Sequence, residues 1–309
     1  MKRASVDVII PTYKPDASFR ELLRMLTGQV YPVDHILIIN TEEKYWDDTL
    51  TDGVARAEVF HISKSEFDHA ATRNMGVGFS DADYLLFMTQ DALPADRALV
   101  GTLLEAFRDP AVKTAYARQL PLKNCTVTEG CVRSYNYPAH SCVRTLKDLP
   151  VNGIKNYFCS NVCAMYERDT FVKMGGFLAP AIFNEDMVYA ARIQHLGFGV
   201  AYEARARVYH SHNYTNLQQF HRNFDNGVSQ AMHPEIFRTV NSTGEGKRMV
   251  RHVSRYLREI GRVYLLPGFY WQCFVKLAGF RLGRSYRKLP AGIVRKLTMS
   301  PDFFKVNRL

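Results

Sequence analysis

Apolar positions along this chain fall into two alternating patterns. Short continuous runs, rich in β-branched and aromatic residues, occupy 6–14 (VDVIIPTYK), 35–41 (HILIINT), 58–63 (EVFHIS), 84–89 (YLLFMT) and 112–120 (VKTAYARQL). Runs of this kind predict strands covered on both faces. Between them apolar residues recur at helical spacing. Phe19, Leu22, Leu23 and Leu26 mark 17–29; a second helix is predicted over 68–80, with Asp68 as N-cap and Gly78 near its end, and a third over 95–107. Strands alternating with helices predict an α/β fold around a mostly parallel sheet flanked by helices.

The second half is less regular. Residues 121–156 form a long, poorly patterned stretch, of the size that in a compact domain usually serves function. A strand is then predicted over 157–166, a helix over 183–198 closed by Gly197, a strand over 200–214 and a helix over 217–230. Ligands of open α/β sheets bind beyond the carboxyl ends of the strands. Thr12, Tyr13, Asn40, Thr41 and Asp91 are therefore expected on one rim.

Several residues at or near that rim carry chemistry. An Asp after a strand, such as Asp91, commonly serves only as a turn or cap residue; at this rim it can also hold a hard divalent cation. Glu185 and Asp186, in the first turn of a predicted helix, complement the helix dipole. One of them can instead act as a general base, kept charged by the helix N-terminus. His210 and His212 lie two apart on a strand and so face the same side; they are core or surface histidines, or one of them completes a coordination shell with Asp91. Arg73, Asn74 and Arg222 are surface residues or diphosphate and base contacts. No G-x-x-x-x-G-K-[ST] is present, and no G-x-G-x-x-G follows the first strand, which argues against a P-loop or dinucleotide site.

Charge changes the picture at the C-terminus. The chain carries 40 Lys/Arg against 30 Asp/Glu, and from Glu245 onward the count is 15 against 3. A basic end on a near-neutral body suggests an anionic partner. Within 248–266, Met249, Val250, Val253, Leu257, Ile260 and Tyr264 form one helical stripe, with Arg251, Arg255, Arg258 and Arg262 largely off it; 267–288 adds aromatics and cations. The combination predicts a segment lying in a membrane interface; the alternative is packing of the stripe on the rest of the chain or on a second copy, a homo-oligomer. Cations alternating with an apolar stripe, and no nucleic-acid motif, argue against nucleic-acid binding. No run reaches the length of a spanning helix, and Met1-Lys2-Arg3 leads directly into a strand rather than a signal peptide. The six cysteines match no zinc template and are expected as reduced thiols, with a loop metal site from Cys125, Cys131 and Cys142 as the alternative.

Taken together, DVIIPTYK, FDHAATRNMG, LLFMTQDALP, YNYP, FCSNVCAMYERDTFVKMGGF, FNEDMVYAARIQHLGFGVAYEARARVYHSHNYT and QQFHRNFDNGVSQ resemble the family-2 glycosyltransferases of GT-A fold, and among them bacterial polysaccharide rhamnosyltransferases. The resemblance covers roughly residues 5–230. It implies a catalytic domain over 1–232, with a nucleotide-binding half (1–120) and an acceptor-binding half (121–232), followed by a helical, basic, amphipathic region (233–309). It implies that Asp91 and His210 hold a divalent metal, Mg²⁺ or Mn²⁺, and that Asp186, with Glu185 beside it, is the catalytic base. Thr12, Tyr13, Asn40, Thr41, Asp68, Arg73, Asn74 and Gln90 would line the nucleotide side, and Ser160, Asn161, His212, Gln219 and Arg222 the acceptor and diphosphate side. The family's D-x-D acids are thinned here to Thr89-Gln90-Asp91, and Asn40-Thr41 replaces an acid that grips uracil in many relatives.

The implied reaction is inverting transfer of a sugar, L-rhamnose from dTDP-β-L-rhamnose, to a lipid-linked glycan on the cytoplasmic face of the plasma membrane. A UDP-hexose, UDP-N-acetylhexosamine or UDP-galactofuranose donor is the alternative. A non-catalytic nucleotide-binding protein or a nucleic-acid-binding protein is the more distant one.

Overall fold

The computed structural model describes residues 3–238, 240 and 243–306. Met1 and Lys2 of the expected N-terminal lead, and the last three residues of the basic region, lie outside the described residues. The first half runs β1 (Val6–Tyr13), α1 (Ala17–Thr27), β2 (His35–Thr41), β3 (Ala57–Ile62), α2 (His69–Val77), β4 (Tyr84–Met88), β5 (Leu93–Pro94), α3 (Leu99–Glu105) and β6 (Val112–Leu120). The second half runs α4 (Val127–Asn136), β7 (Cys142–Arg144), α5 (Leu149–Asn152), β8 (Cys163–Glu167), α6 (Arg168–Lys173), α7 (Glu185–His195), β9 (Gly199–Tyr209) and α8 (Asn216–Met232). The C-terminal region adds α9 (Pro234–Phe237), α10 (Thr243–Glu259), α11 (Leu266–Arg284), α12 (Ala291–Leu297) and α13 (Pro301–Val306).

The sheet order is β3-β2-β1-β4-β8-β6-β9-β5, with β7 added on β9. β3, β2, β1 and β4 are mutually parallel, and β6 is parallel to β9. β8 runs antiparallel to both neighbours, so the sheet is mixed beyond β4. Side-chain alternation sorts the core into two layers. Val6, Val8 and Ile10 of β1, with Leu86 and Met88 of β4, pack on α1 and α3. Ile9, Leu85 and Phe87 face the other way, onto α2, α6 and α7.

Two stretches differ from expectation. Residues 121–156 are not patternless: they hold α4, whose N-cap Thr126 accepts from the Glu129 N–H. The strand predicted over 157–166 begins only at Cys163, because a 3₁₀ turn over Gly153–Tyr157 precedes it. The C-terminal stripe also divides. Val253 and Leu257 are buried with Cys131 of α4, and Met249 and Val250 pack against them, whereas Ile260 and Tyr264 stay exposed. All six cysteines are free.

Helices α8 and α11 meet backbone to backbone through glycines. A Cβ at Gly283 would stand 2.0 Å from the Phe224 carbonyl oxygen, and one at Gly279 would stand 2.4 Å from that of Phe220. Any side chain there would push the helices apart, at a cost typical of overpacking, about 1–3 kcal/mol. This close seam fixes the C-terminal region on the helix that follows β9.

Candidate active site

The register of the parallel strands builds the rim. Thr12 pairs with Asn40 and Tyr13 with Thr41. The Thr12 hydroxyl donates to Asn40 Oδ1 at 3.1 Å, and the Asn40 amide lies 3.0 Å from His61 Nδ1. Gln90 ties β4 to β1 by exchanging two hydrogen bonds with the Tyr13 backbone, at 2.7 and 3.1 Å.

Beyond the rim opens a cleft of about 720 Å³. It gathers Arg73, Asp91, Ser160, Asn161, Glu185, Asp186, His210, His212, Gln219 and Arg222 from the residues expected at a site. Tyr13, Thr41 and Asp68 line a second cavity beside it. Thr12, Asn40, Asn74 and Gln90 line neither. Asn74 is engaged on both sides by the Phe177 backbone, and Asp68 caps α2 while accepting from the Ala181 N–H at 2.7 Å.

At one end of the cleft Asp91 meets both histidines. His210 Nε2 is 3.5 Å and His212 Nε2 3.3 Å from Asp91 Oδ2, and one ligand atom of each residue lies within 4.8 Å of the others. Burial penalises the Asp91 charge, but the hydrogen bond to His210 and its charge hold the carboxyl well below its usual range. Burial, with His210 beside it, pushes the His212 imidazole down to about 4. An ionised carboxylate and a neutral imidazole are the forms that bind metals. His210 is oriented by Gln119, whose Oε1 is 3.0 Å from its Nδ1; that oxygen also accepts from Arg133. Orienting bonds of this type are what metal-binding histidines need.

At the other end stands the acid pair. Asn184, in the left-handed conformation at φ 62°, turns the chain into α7 and presents Glu185 and Asp186; Asn adopts that region more readily than most residues. Glu185 is buried. It accepts from Asn161 Nδ2 at 2.9 Å and lies 3.3 Å from the buried Arg73 guanidinium. Burial opposes its charge, yet Arg73 and His69 keep its carboxyl below the usual range. Asp186 accepts from the Asn161 and Met187 N–H groups at 2.9 and 2.7 Å. Burial, then the Glu185 charge, push it up to about 7. The helix N-terminus therefore does not keep Asp186 fully charged at neutral pH, as the sequence suggested. Burial of the carboxyl, reinforced by the charge one residue away, outweighs it.

A model of glycosyl transferase family 2 matches residues 7–175. The chain belongs to glycosyl transferase family 2. Over 301 residues it is 34% identical to the O-antigen chain rhamnosyltransferase RfbN of Salmonella typhimurium, covering 97% of this chain and 96% of that one. It is 33% identical over 304 residues to the O-antigen chain rhamnosyltransferase WbaN of Salmonella anatum, with the same coverage. Among solved structures, a Pyrobaculum calidifontis mannosyltransferase in complex with GDP-Man and Mn²⁺ superposes with a TM-score of 0.56 at 16% identity, covering 99% of this chain and 86% of that one. S. aureus TarS 1-349 in complex with UDP-GlcNAc gives 0.51 at 14% identity, covering 92% of each. The family-2 glycosyltransferase thus has the GT-A fold, and it is an enzyme.

Some cleft residues of this family-2 enzyme had no motif to announce them. Arg133 comes from α4, and Lys276 reaches the same cleft from α11. The signal for α4 was present: Thr126-Val-Thr-Glu129 is a helix-start pattern of Thr followed three residues later by Glu. Lys276 has no such signal, because only the packing of α11 on α8 brings it in. Burial lowers its ammonium, and Arg133 and Arg222 nearby act in the same direction. Arg222 itself lies over the Phe183 and Tyr214 rings, at 4.8 and 5.6 Å.

Proposed function

We propose that this enzyme transfers L-rhamnose from dTDP-β-L-rhamnose, with inversion, to a hydroxyl of a lipid-linked glycan in the building of a surface polysaccharide. One observation carries the reading: the Asp91–His210–His212 cluster and a base candidate tuned to about neutral pH, Asp186, open onto the same cleft. The two rhamnosyltransferases similar over nearly the whole chain support the choice of sugar. Residues 1–232 form the transferase unit, with 1–120 on the nucleotide side and 121–232 on the acceptor side. Residues 233–309 form the membrane-facing extension.

In this reaction Asp186 takes the proton of the acceptor hydroxyl as that oxygen attacks the anomeric carbon. The bond from that carbon to the phosphate oxygen breaks, and the nucleoside diphosphate leaves. Because the leaving group is already stable as an anion it needs cationic donors rather than a proton. Arg222, Lys276 and Arg133, which line the same cleft, would supply them. Glu185 does not move protons; paired with Arg73, it sets the affinity of Asp186. Asn161 holds both acids in place, with Ser160 and Gln219 toward the acceptor.

One carboxylate and two imidazoles suit Mn²⁺ better than Mg²⁺, which prefers an all-oxygen shell. When bound, the cation would neutralise the donor diphosphate as a Lewis acid. With Mn²⁺ present, dTDP-rhamnose is expected to turn over at least about tenfold faster than UDP-hexose, UDP-N-acetylhexosamine or UDP-galactofuranose, the size of discrimination one binding contact gives. A UDP sugar transferred equally well would displace the donor assignment.

The enzyme works at the inner face of the membrane, held there by α10 and α11. Among the described residues no helix is long and apolar enough to cross a membrane. With Val253 and Leu257 occupied by packing, the membrane face moves to the exposed side chains Tyr264 (72%), Trp271 (56%), Phe274 (59%) and Leu277 (42%); Arg255, Arg258, Arg262 and Arg281, on the same two helices and the turn between them, are exposed as well. Aromatics flanked by cations are the composition of an interfacial anchor. Full-length protein should float with anionic liposomes, and the Trp271→Ser/Phe274→Ser variant should lose most of that binding. Equal flotation would refute the anchor.

A further inference from the structure

The second cavity at the rim, about 440 Å³, opens between Tyr13 and Thr41 of the sheet, the approach to α2, and Met299–Phe303 near the C-terminus. His69 borders both it and the main cleft. Thr41 is buried, and its Oγ1 has no hydrogen-bond partner. A buried hydroxyl left unpaired is costly, and a ligand edge that can donate or accept would relieve it.

The carboxylates nearby are engaged elsewhere. Asp68 caps α2, Glu42 accepts from the Lys64 N–H at 2.7 Å, and Asp302 pairs with Lys305 at 2.8 Å and Lys64 at 3.5 Å. Lys64 lies beside Asp302, and the rest of the lining is the Thr41 and Ser300 hydroxyls, the exposed Tyr13 ring, His69 and an apolar wall that includes Ile182, Met299 and Phe67. That chemistry suits a neutral, planar heterocycle. β2 and β4 are each hydrogen-bonded to β1. The ends of β2 and β4 therefore lie about 10 Å apart across the sheet, by the usual spacing of strands, with Thr41 closing β2 and Asp91 just beyond β4. A nucleoside diphosphate spans such a gap from base to phosphate.

The C-terminal wall is held in place by polar ties. Thr298 Oγ1 donates to Asp225 Oδ1 at 2.5 Å, and the Met299 N–H donates to Asp225 Oδ2 at 2.9 Å. Asp225 is buried on α8, three residues after Arg222. Farther along, Phe303 is buried with Ile182, Phe224 and Val228. Between these two anchors Met299 remains 44% exposed at the edge of the cavity. An apolar side chain is thus presented, not buried.

We infer that Thr298–Phe303 is a strap completing the nucleobase end of the donor site, with the pyrimidine packed against Met299 and its polar edge on Thr41 Oγ1. The inference rests on the donor reading above. It makes Met299 and Thr41 specificity-determining residues far in sequence from the transfer chemistry.

The test uses full-length protein with Mn²⁺ and two probes, dTDP and inorganic pyrophosphate. In hydrogen-exchange mass spectrometry, dTDP should slow exchange of the 298–306 amides several-fold, and pyrophosphate should not. By calorimetry, Met299→Ala and Thr41→Val should each raise the Kd for dTDP roughly tenfold, the worth of one pocket contact, and leave that for pyrophosphate unchanged. Met299 is exposed and Thr41→Val preserves shape, so neither change threatens folding. If dTDP binds the wild-type and both variants alike and leaves the strap unprotected, the strap is refuted and the donor reading stands. If the wild-type protein binds pyrophosphate but neither dTDP nor UDP, the donor reading falls with it.

Discussion

Asp186→Asn should lower kcat by about a thousandfold, within the range for loss of a general base, while the Kd for dTDP stays within about twofold, inside the scatter of a contact not made to the nucleotide. The amide keeps the shape, but its single oxygen can accept from only one of the Asn161 and Met187 N–H groups, which bond separate oxygens of the carboxylate, and it cannot take a proton. The pH profile carries an independent signature. Burial and the charge of Glu185 push Asp186 up to about 7, so its ionised fraction grows as pH rises through that value. In the wild type kcat/KM should therefore climb about tenfold per pH unit below about pH 6 and level off above 8, as for a single titrating base.

Glu185→Gln should shift that limb to lower pH by removing the neighbouring charge. Because the native state holds this proton more tightly than the unfolded chain does, Asp186 also costs stability as pH rises from about 4 toward 7. A D186N variant with near-wild-type kcat, or a flat pH profile from 5 to 8, would remove Asp186 from the reaction.

Asp91→Ala should reduce kcat/KM by at least about a hundredfold, corresponding to several kcal/mol of Lewis-acid stabilisation. The physical reason is the thinness of the site. With Thr89 and Gln90 in place of further acids, Asp91 is the only carboxylate in the cluster, and its other members are the imidazoles of His210 and His212. Removing it leaves no anionic ligand to compete with water for the cation. EDTA should reproduce the loss in the wild type, and Mn²⁺ should restore activity more fully than Mg²⁺. His212→Ala should give a smaller loss of the same kind, measurable as weaker Mn²⁺ activation. Full activity in EDTA would contradict a metal at this cluster.

How much of this could be read from sequence varied by element. The parallel strands and their rim were legible, because continuous apolar runs such as VDVIIP and YLLFM specify doubly covered strands, and the turn residues after them mark where ligands collect. The acid pair at the start of α7 and the two histidines were legible as residue types at a fixed spacing, although the strand expected to carry the histidines stops at Tyr209 and both lie just beyond β9. The tuning of Asp186 was not, since it depends first on the burial of Asp186 itself and then on Glu185 being held beside it against Arg73, a contact between α7 and α2 that no local pattern encodes. The placement of His212 beside Asp91 likewise needed three dimensions. The stripe on α10 was correctly seen as amphipathic, but periodicity cannot say whether protein or lipid covers an apolar face; α4 covers its first half. Lys276 and the Met299 strap were invisible because they reach the site only through the glycine seam between α8 and α11 and the ties of Asp225.

The account rests on a single displacement at the anomeric carbon, assisted by one base. The most direct test is the configuration of the product formed from dTDP-β-L-rhamnose and a lipid-linked acceptor, read from the anomeric carbon–hydrogen coupling by NMR. An α-linked rhamnoside is the predicted result. A β-linked product would mean two displacements or another mechanism, and would contradict the assignment of Asp186 as the base of an inverting transfer.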